Sequence, residues 1–245
     1  MATSQVVGHA ETKPLVRGRL WWFMPVASAG LLAIVLFGFA KTLYLRAFFK
    51  VPPIPAYLYV HGVVLTTWYV LVVVQTWLIA RHRTDVHRRL GWLGAAVACL
   101  LVPISAYVVW QYVPRALARG RPLDAIRGLV AGDLVSLLFF GILVAAAIRF
   151  RRRPEVHKRL ILASCFSILV PALERFYFSY GLPIRGLPTE PILFYGTLLG
   201  YDLLSRRRLH RATLWIVGGG VVLYGVLNRL ILVSGLTDSF IAAAR

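Results

Sequence analysis

Residues 55–80 read PAYLYVHGVVLTTWYVLVVVQTWLIA, and RHRTDVHRRLGW follows at 81–92. The first stretch runs for 26 residues without an Asp, Glu, Lys or Arg. A helix needs roughly 20 mainly apolar residues to cross about 30 Å of hydrocarbon. The run is continuous, whereas barrel strands alternate over about ten residues, so it is a membrane helix. The second stretch ends it with a knot of cations. The same pattern recurs outward in both directions, predicting spans at about 21–45, 55–80, 89–113, 129–150, 158–180, 190–205 and 212–234. The sixth is the shortest and carries Asp202. The expected fold is all-α, a polytopic bundle of seven transmembrane helices in one domain (21–245) behind an N-terminal segment (1–20). About twenty mixed residues precede an apolar run too long for a signal-peptide core, so the first span is expected to be retained.

Composition agrees with this. Hydrophobic residues make up 59% of the 245 positions and charged residues 15%, against about half and a quarter in soluble domains. There are 28 Lys and Arg against 9 Asp and Glu, a net charge of +19. On a soluble protein that balance suggests nucleic acid. Here the cations cluster between apolar runs, where they orient the chain and meet anionic lipid headgroups. No nucleic-acid partner is expected. With the N-terminus inside, the cytoplasmic clusters at 13–19, 81–89, 149–159 and 206–211 hold 17 Lys and Arg, and the opposite side holds 10. The positive-inside rule therefore places the N-terminus in and the C-terminus out.

Cys99 and Cys165 lie in apolar runs without a Cys-x-x-Cys, which predicts buried thiols. Gly94-x3-Ala98, Gly141-x3-Ala145 and Gly196-x3-Gly200 are small-residue pairs of the kind that lets helix backbones approach. Pro25, Pro103 and Pro171 predict kinks, with neighbouring groups taking up the freed carbonyls.

The chain also repeats itself. DVHRRL at 85–90 opens the third span, EVHKRL at 155–160 opens the fifth, and RLHRATL at 208–214 is a weaker echo at the seventh. Leu101-Val102-Pro103 and Leu169-Val170-Pro171 extend the similarity. One leading helix followed by three hairpins of like direction accounts for it. Two interpretations stand. In the first, Asp85 and Glu155 stabilise helix N-termini, the cations anchor the interface, and the histidines are interfacial residues. In the second, His87, His157 and His210 share one membrane level with Asp202. Three imidazoles and a carboxylate suit zinc or iron, and two imidazoles from different helices suit a haem iron, such as haem b. A second group, His61, Asp133, Glu174, Arg175 and Arg229, with Asn228, falls in the outer half. It reads as an interhelical ion-pair network or as a polar cavity in which His61 titrates. Arg175 and Arg229 are expected to face protein, with acidic or amide partners. His82 has no counterpart in the repeat.

At DVHRRLG and EVHKRLIL the sequence resembles a group of uncharacterised bacterial multi-pass membrane proteins. His61-Gly62, Trp68, Gln75, Tyr201-Asp202 and His210 belong to the same likeness, which covers about residues 55–215. The resemblance implies a bacterial cytoplasmic (inner) membrane protein. More remotely, HRRL and HKRL are similar to a motif of membrane cytochrome-oxidase assembly factors and to the histidine-bearing helices of b561-type dihaem proteins.

Three functions follow as expectations. The first is a metal- or haem-binding membrane protein with a redox-linked role. The second is a non-catalytic accessory or assembly subunit of a membrane complex. The third, by analogy of fold to adiponectin-receptor-like hydrolases, is a zinc-dependent lipid hydrolase. A retinal protein is not expected, because the last span has no lysine for a Schiff base. A transporter stays open, since Gly218-Gly219-Gly220 can loosen the seventh span.

Overall fold

The computed structural model describes residues 20–182 and 189–244, and no strand occurs among the described residues. The expected N-terminal segment, with His9, lies outside them except for Leu20, as do Arg185 and Arg245. Helices follow each apolar run: α1 (Phe23–Phe39), α2 (Ala56–Ala80), α3 (Thr84–Ala118), α4 (Leu123–Arg149), α5 (Pro154–Ser167), α6 (Val170–Tyr180), α7 (Thr189–Arg206), α8 (Arg211–Gly220), α9 (Asn228–Val233) and α10 (Leu236–Ala243). Among the described residues, five stretches are long and apolar enough to cross a membrane: Phe23–Tyr44, Ala56–Ala80, Thr84–Ala118, Leu123–Arg149 and Arg211–Val233. The bent pair α5 and α6 makes a sixth if it counts as one span. The expected sixth span is a helix, α7, but a short one with Asp202 and Arg206 in its last turns. The chain is therefore an integral membrane protein of all-α architecture, and among the described residues five or six stretches are long and apolar enough to cross, with α7 following the expected sixth span as a shorter helix.

Large apolar side chains such as Trp92, Phe178, Trp215 and Val233 point outward, as lipid rather than water permits. The core forms where α2 meets α3 and α4 meets α5, around Trp68, Tyr69, Leu101, Phe140 and Phe166. A smaller cluster of Val109, Val113, Ile126, Val130 and Ile241 seals the far end of α3 and α4 under α10. Arg127 fastens α10 there, at 2.9 Å from Asp124 and 2.7 Å from Asp238. The sequence reading ends its last span at 234 and does not anticipate α10.

Pro103 leaves α3 continuous, whereas Pro171 falls at the break between α5 and α6, which bend by 51°. Pro171 has no N–H to offer the carbonyl of Ser167, four residues earlier. That carbonyl accepts instead from the Tyr224 hydroxyl at 3.3 Å. The Cys165 carbonyl, also released by the break, accepts from the buried Tyr69 hydroxyl at 2.7 Å. Partners from α2 and the seventh span thus stabilise the kink. Directly after Gly218-Gly219-Gly220 the backbone widens into a π-helix over Val221–Leu227, so the glycine run does loosen that span.

Close backbone approach occurs elsewhere than expected. A Cβ added at Gly94, Gly141, Gly196 or Gly200 would meet nothing within 4 Å. At Gly38 it would collide with the carbonyl of Ala172, where α1 lies against α6.

Candidate functional site

The two strong copies of the repeat fold alike. His87 and His157 are each the fourth residue of their helix, α3 and α5. Each makes the first helical bond, His87 N–H to the Arg83 carbonyl at 3.0 Å and His157 N–H to the Arg153 carbonyl at 2.9 Å. Equivalent local geometry aims both imidazoles into one cleft of about 1660 Å³ between α1, α2, α3, α4, α5 and α7. Their ring centroids lie 6.3 Å apart with the planes nearly perpendicular, at 88°. The Nδ1 of His157 lies 2.8 Å from the Ala147 carbonyl, one of the unpaired acceptors at the end of α4. As an N–H donor there it leaves Nε2 as the free nitrogen. The His87 Nδ1 is enclosed without a hydrogen-bond partner, near Gln75. Trp68, Leu71, Val72 and Leu162 make the wall of the cleft apolar, while Arg88, Arg151, Arg152 and Lys158 make its rim cationic.

His210 and Asp202 do not join this pair. Asp202 is fully buried against Arg159, also fully buried. The Arg159 Nε and Nη2 donate to Asp202 Oδ1 at 3.0 and 2.5 Å, and Nη1 donates to Glu155 Oε2 at 2.8 Å. The guanidinium lies over the Tyr201 ring at 5.0 Å. Asp202 Oδ2 accepts the His210 backbone N–H at 2.7 Å, and Glu155 also binds Lys158 at 2.6 Å and Arg206 at 3.1 Å. This network ties α5 to α7 and to the turn before α8. The expected four-ligand set is thereby split, because Asp202 is occupied by a cation and a backbone amide. Among the described residues no group of three or more His, Cys, Asp and Glu is arranged to hold a metal ion. The sequence reading places Arg159 only as an interface anchor. The signal that it is a buried partner is the (i, i+4) spacing from Glu155, which puts both on one helix face.

His210 instead caps α8, its Nδ1 accepting the Ala212 N–H at 3.0 Å. Burial, then the charges of Arg159 and Arg206, hold its pKa below the ordinary 6.5. A protonated Nδ1 cannot accept that bond. As pH falls below about 6.5 the unfolded chain takes up a proton that the folded chain resists, so the cap's contribution, about 1 kcal/mol, is present above that pH and lost below it. His210→Asn keeps a capping oxygen without titrating. In detergent melts from about pH 7.5 to 5 it is expected to lose less stability than the wild type. Parallel curves would show that this cap does not titrate.

The outer group is looser than expected. Among the described residues, none of His61, Asp133, Glu174, Arg175 and Arg229 forms a salt bridge within 4.0 Å. Arg175 is exposed, donates to the Pro171 carbonyl at 3.1 Å and lies over the Phe39 ring at 4.8 Å, within electrostatic range of Asp133, Glu174 and His61. Adjacent residues on a helix diverge by about 100°, which keeps Glu174 and Arg175 from pairing. His61 approaches the Ser105 hydroxyl at 3.5 Å. Arg229 is exposed, and the Asn228 Oδ1 is buried without a hydrogen bond. Arg175 thus lies near Asp133 and Glu174 without an ion pair, and among the described residues Arg229 has no acidic or amide partner within hydrogen-bond distance.

No family model, curated protein or solved structure matches this chain.

Proposed function

We propose that this membrane protein binds a haem b between His87 and His157 and serves one-electron transfer. The observation that carries this reading is the 6.3 Å separation of the two imidazole centroids across a shared cleft. Imidazole nitrogens bind metals at about 2.0–2.1 Å, so two imidazoles that held one iron between them would have ring centroids roughly 6 Å apart. The Ala147 carbonyl at His157 Nδ1 is the kind of outer contact that fixes a ligating imidazole. The apolar wall suits a macrocycle and the arginine-rich rim suits its carboxylates. A bacterial inner membrane, with the basic rim on the cytoplasmic side, belongs to the same proposal.

Purification in detergent, a visible spectrum and metal analysis test it. The expected result is a Soret band with one iron per chain, abolished or shifted in His87→Ala and His157→Ala. A colourless, metal-free protein would favour the accessory-subunit reading instead. The buried Arg159–Asp202 pair, a packing device that uses one of the candidate groups, Asp202, supports that second reading.

A further inference from the structure

A second concavity, of about 1240 Å³, runs along the outside of the bundle between α4, α5 and α8. Its floor is apolar, formed by Phe139, Leu143, Leu160 and Ile216, and its mouth carries Arg153 and Arg211, with Arg208 beside them. Among the described residues these three arginines have no carboxylate within 4.0 Å. The nearest acids are already engaged: Glu155 binds Lys158, Arg159 and Arg206, and Asp202 binds Arg159. Trp215, at 81% exposure, stands one helical turn beyond Arg211. Tryptophan in that position marks the headgroup level. Gly218 and Gly219 border the groove, and a Cβ at Gly218 would meet nothing within 4 Å, so the missing side chain leaves room along the wall.

We infer that this groove seats one acyl chain of an anionic diacyl phospholipid whose phosphate rests on Arg153, Arg208 and Arg211. Charge selects the occupant. The mouth is uncompensated cation, and guanidinium groups bind phosphate through paired N–H donors. A second copy of this chain, at +19 overall, would bring the same cations to a symmetric contact and repel. An unbranched chain fits a strip that widens at two glycines and ends among apolar side chains.

The test uses the full chain in a zwitterionic detergent, with phosphatidylglycerol or phosphatidylcholine of identical acyl chains as probes. Bound lipid is read by native mass spectrometry. Tryptophan quenching by the brominated lipids is compared between wild type and Trp215→Phe. One phosphatidylglycerol per chain is expected, preferred over phosphatidylcholine by at least tenfold, with quenching that Trp215→Phe diminishes. Arg153→Gln with Arg211→Gln should erode that preference by about fivefold per arginine. Arg208, which also borders the histidine cleft, is left unchanged. The Cβ of Gly218→Leu enters open space, and the rest of its side chain occupies the groove, which should lower retention of both lipids. Equal retention of the two lipids by the wild type would overturn the proposal. So would arginine and glycine variants that bind like the wild type, or a dimer that covers the groove and excludes lipid.

Discussion

Asp202→Ala is expected to destabilise the folded chain by about 3–5 kcal/mol, the range for leaving one member of a buried ion pair without its partner. Arg159 is fully buried, and two of its nitrogens point at Asp202. Without the carboxylate its charge keeps only Glu155, a half-buried group already shared with Lys158 and Arg206. The His210 N–H would also lose its acceptor, and with it the anchor of the turn into α8. The cause is an uncompensated charge, so removing both members should recover much of the loss. Asp202→Leu combined with Arg159→Met is therefore expected to unfold closer to the wild type than Asp202→Ala does. Denaturant titration in detergent measures both. A loss below about 1 kcal/mol for Asp202→Ala would mean that water reaches the pair and screens it.

Among the described residues, Gly38→Ala should be the most damaging of the glycine-to-alanine changes. The new methyl collides with the Ala172 carbonyl, and both sides of the contact are backbone. No rotamer relieves it, so α1 and α6 must separate, at a cost near the upper end of the 1–3 kcal/mol typical of overpacking. Parting them also disturbs the kink at Pro171, one residue away. Gly94→Ala is the matched control, because its methyl enters open space. Alanine is favoured over glycine inside a helix by about 1 kcal/mol, so this variant should be neutral or slightly more stable. The two melts should move in opposite directions. Equal melting temperatures would show that α1 and α6 do not touch there.

These two sites also mark where sequence stops being informative. The helices were legible because each crossing is a long run with few charges, and the kink at Pro171 because proline removes an N–H donor. The repeat was legible too, and His87 and His157 do share a cleft. The rest depended on rotation about helix axes. The sequence marks Gly94 for close packing and passes over Gly38, and only the packing of the helices reverses the two. Arg159 sits beside Lys158 in a basic cluster, yet one side chain is fully buried and the other is part-exposed. His210 matches the repeat loosely, and it stands at a helix cap instead of within a first turn. The helix α10 is short and amphipathic, below the length at which an apolar run declares a span.

Haemin titration of the purified protein, stripped of any bound haem, tests most directly whether His87 and His157 form one site. A single haemin per chain is predicted, with a low-spin, six-coordinate spectrum. His87→Ala and His157→Ala should each give a five-coordinate spectrum or none, while His210→Ala, whose imidazole caps α8, should bind as the wild type does. Absence of binding, or binding indifferent to both His87 and His157, would contradict the account.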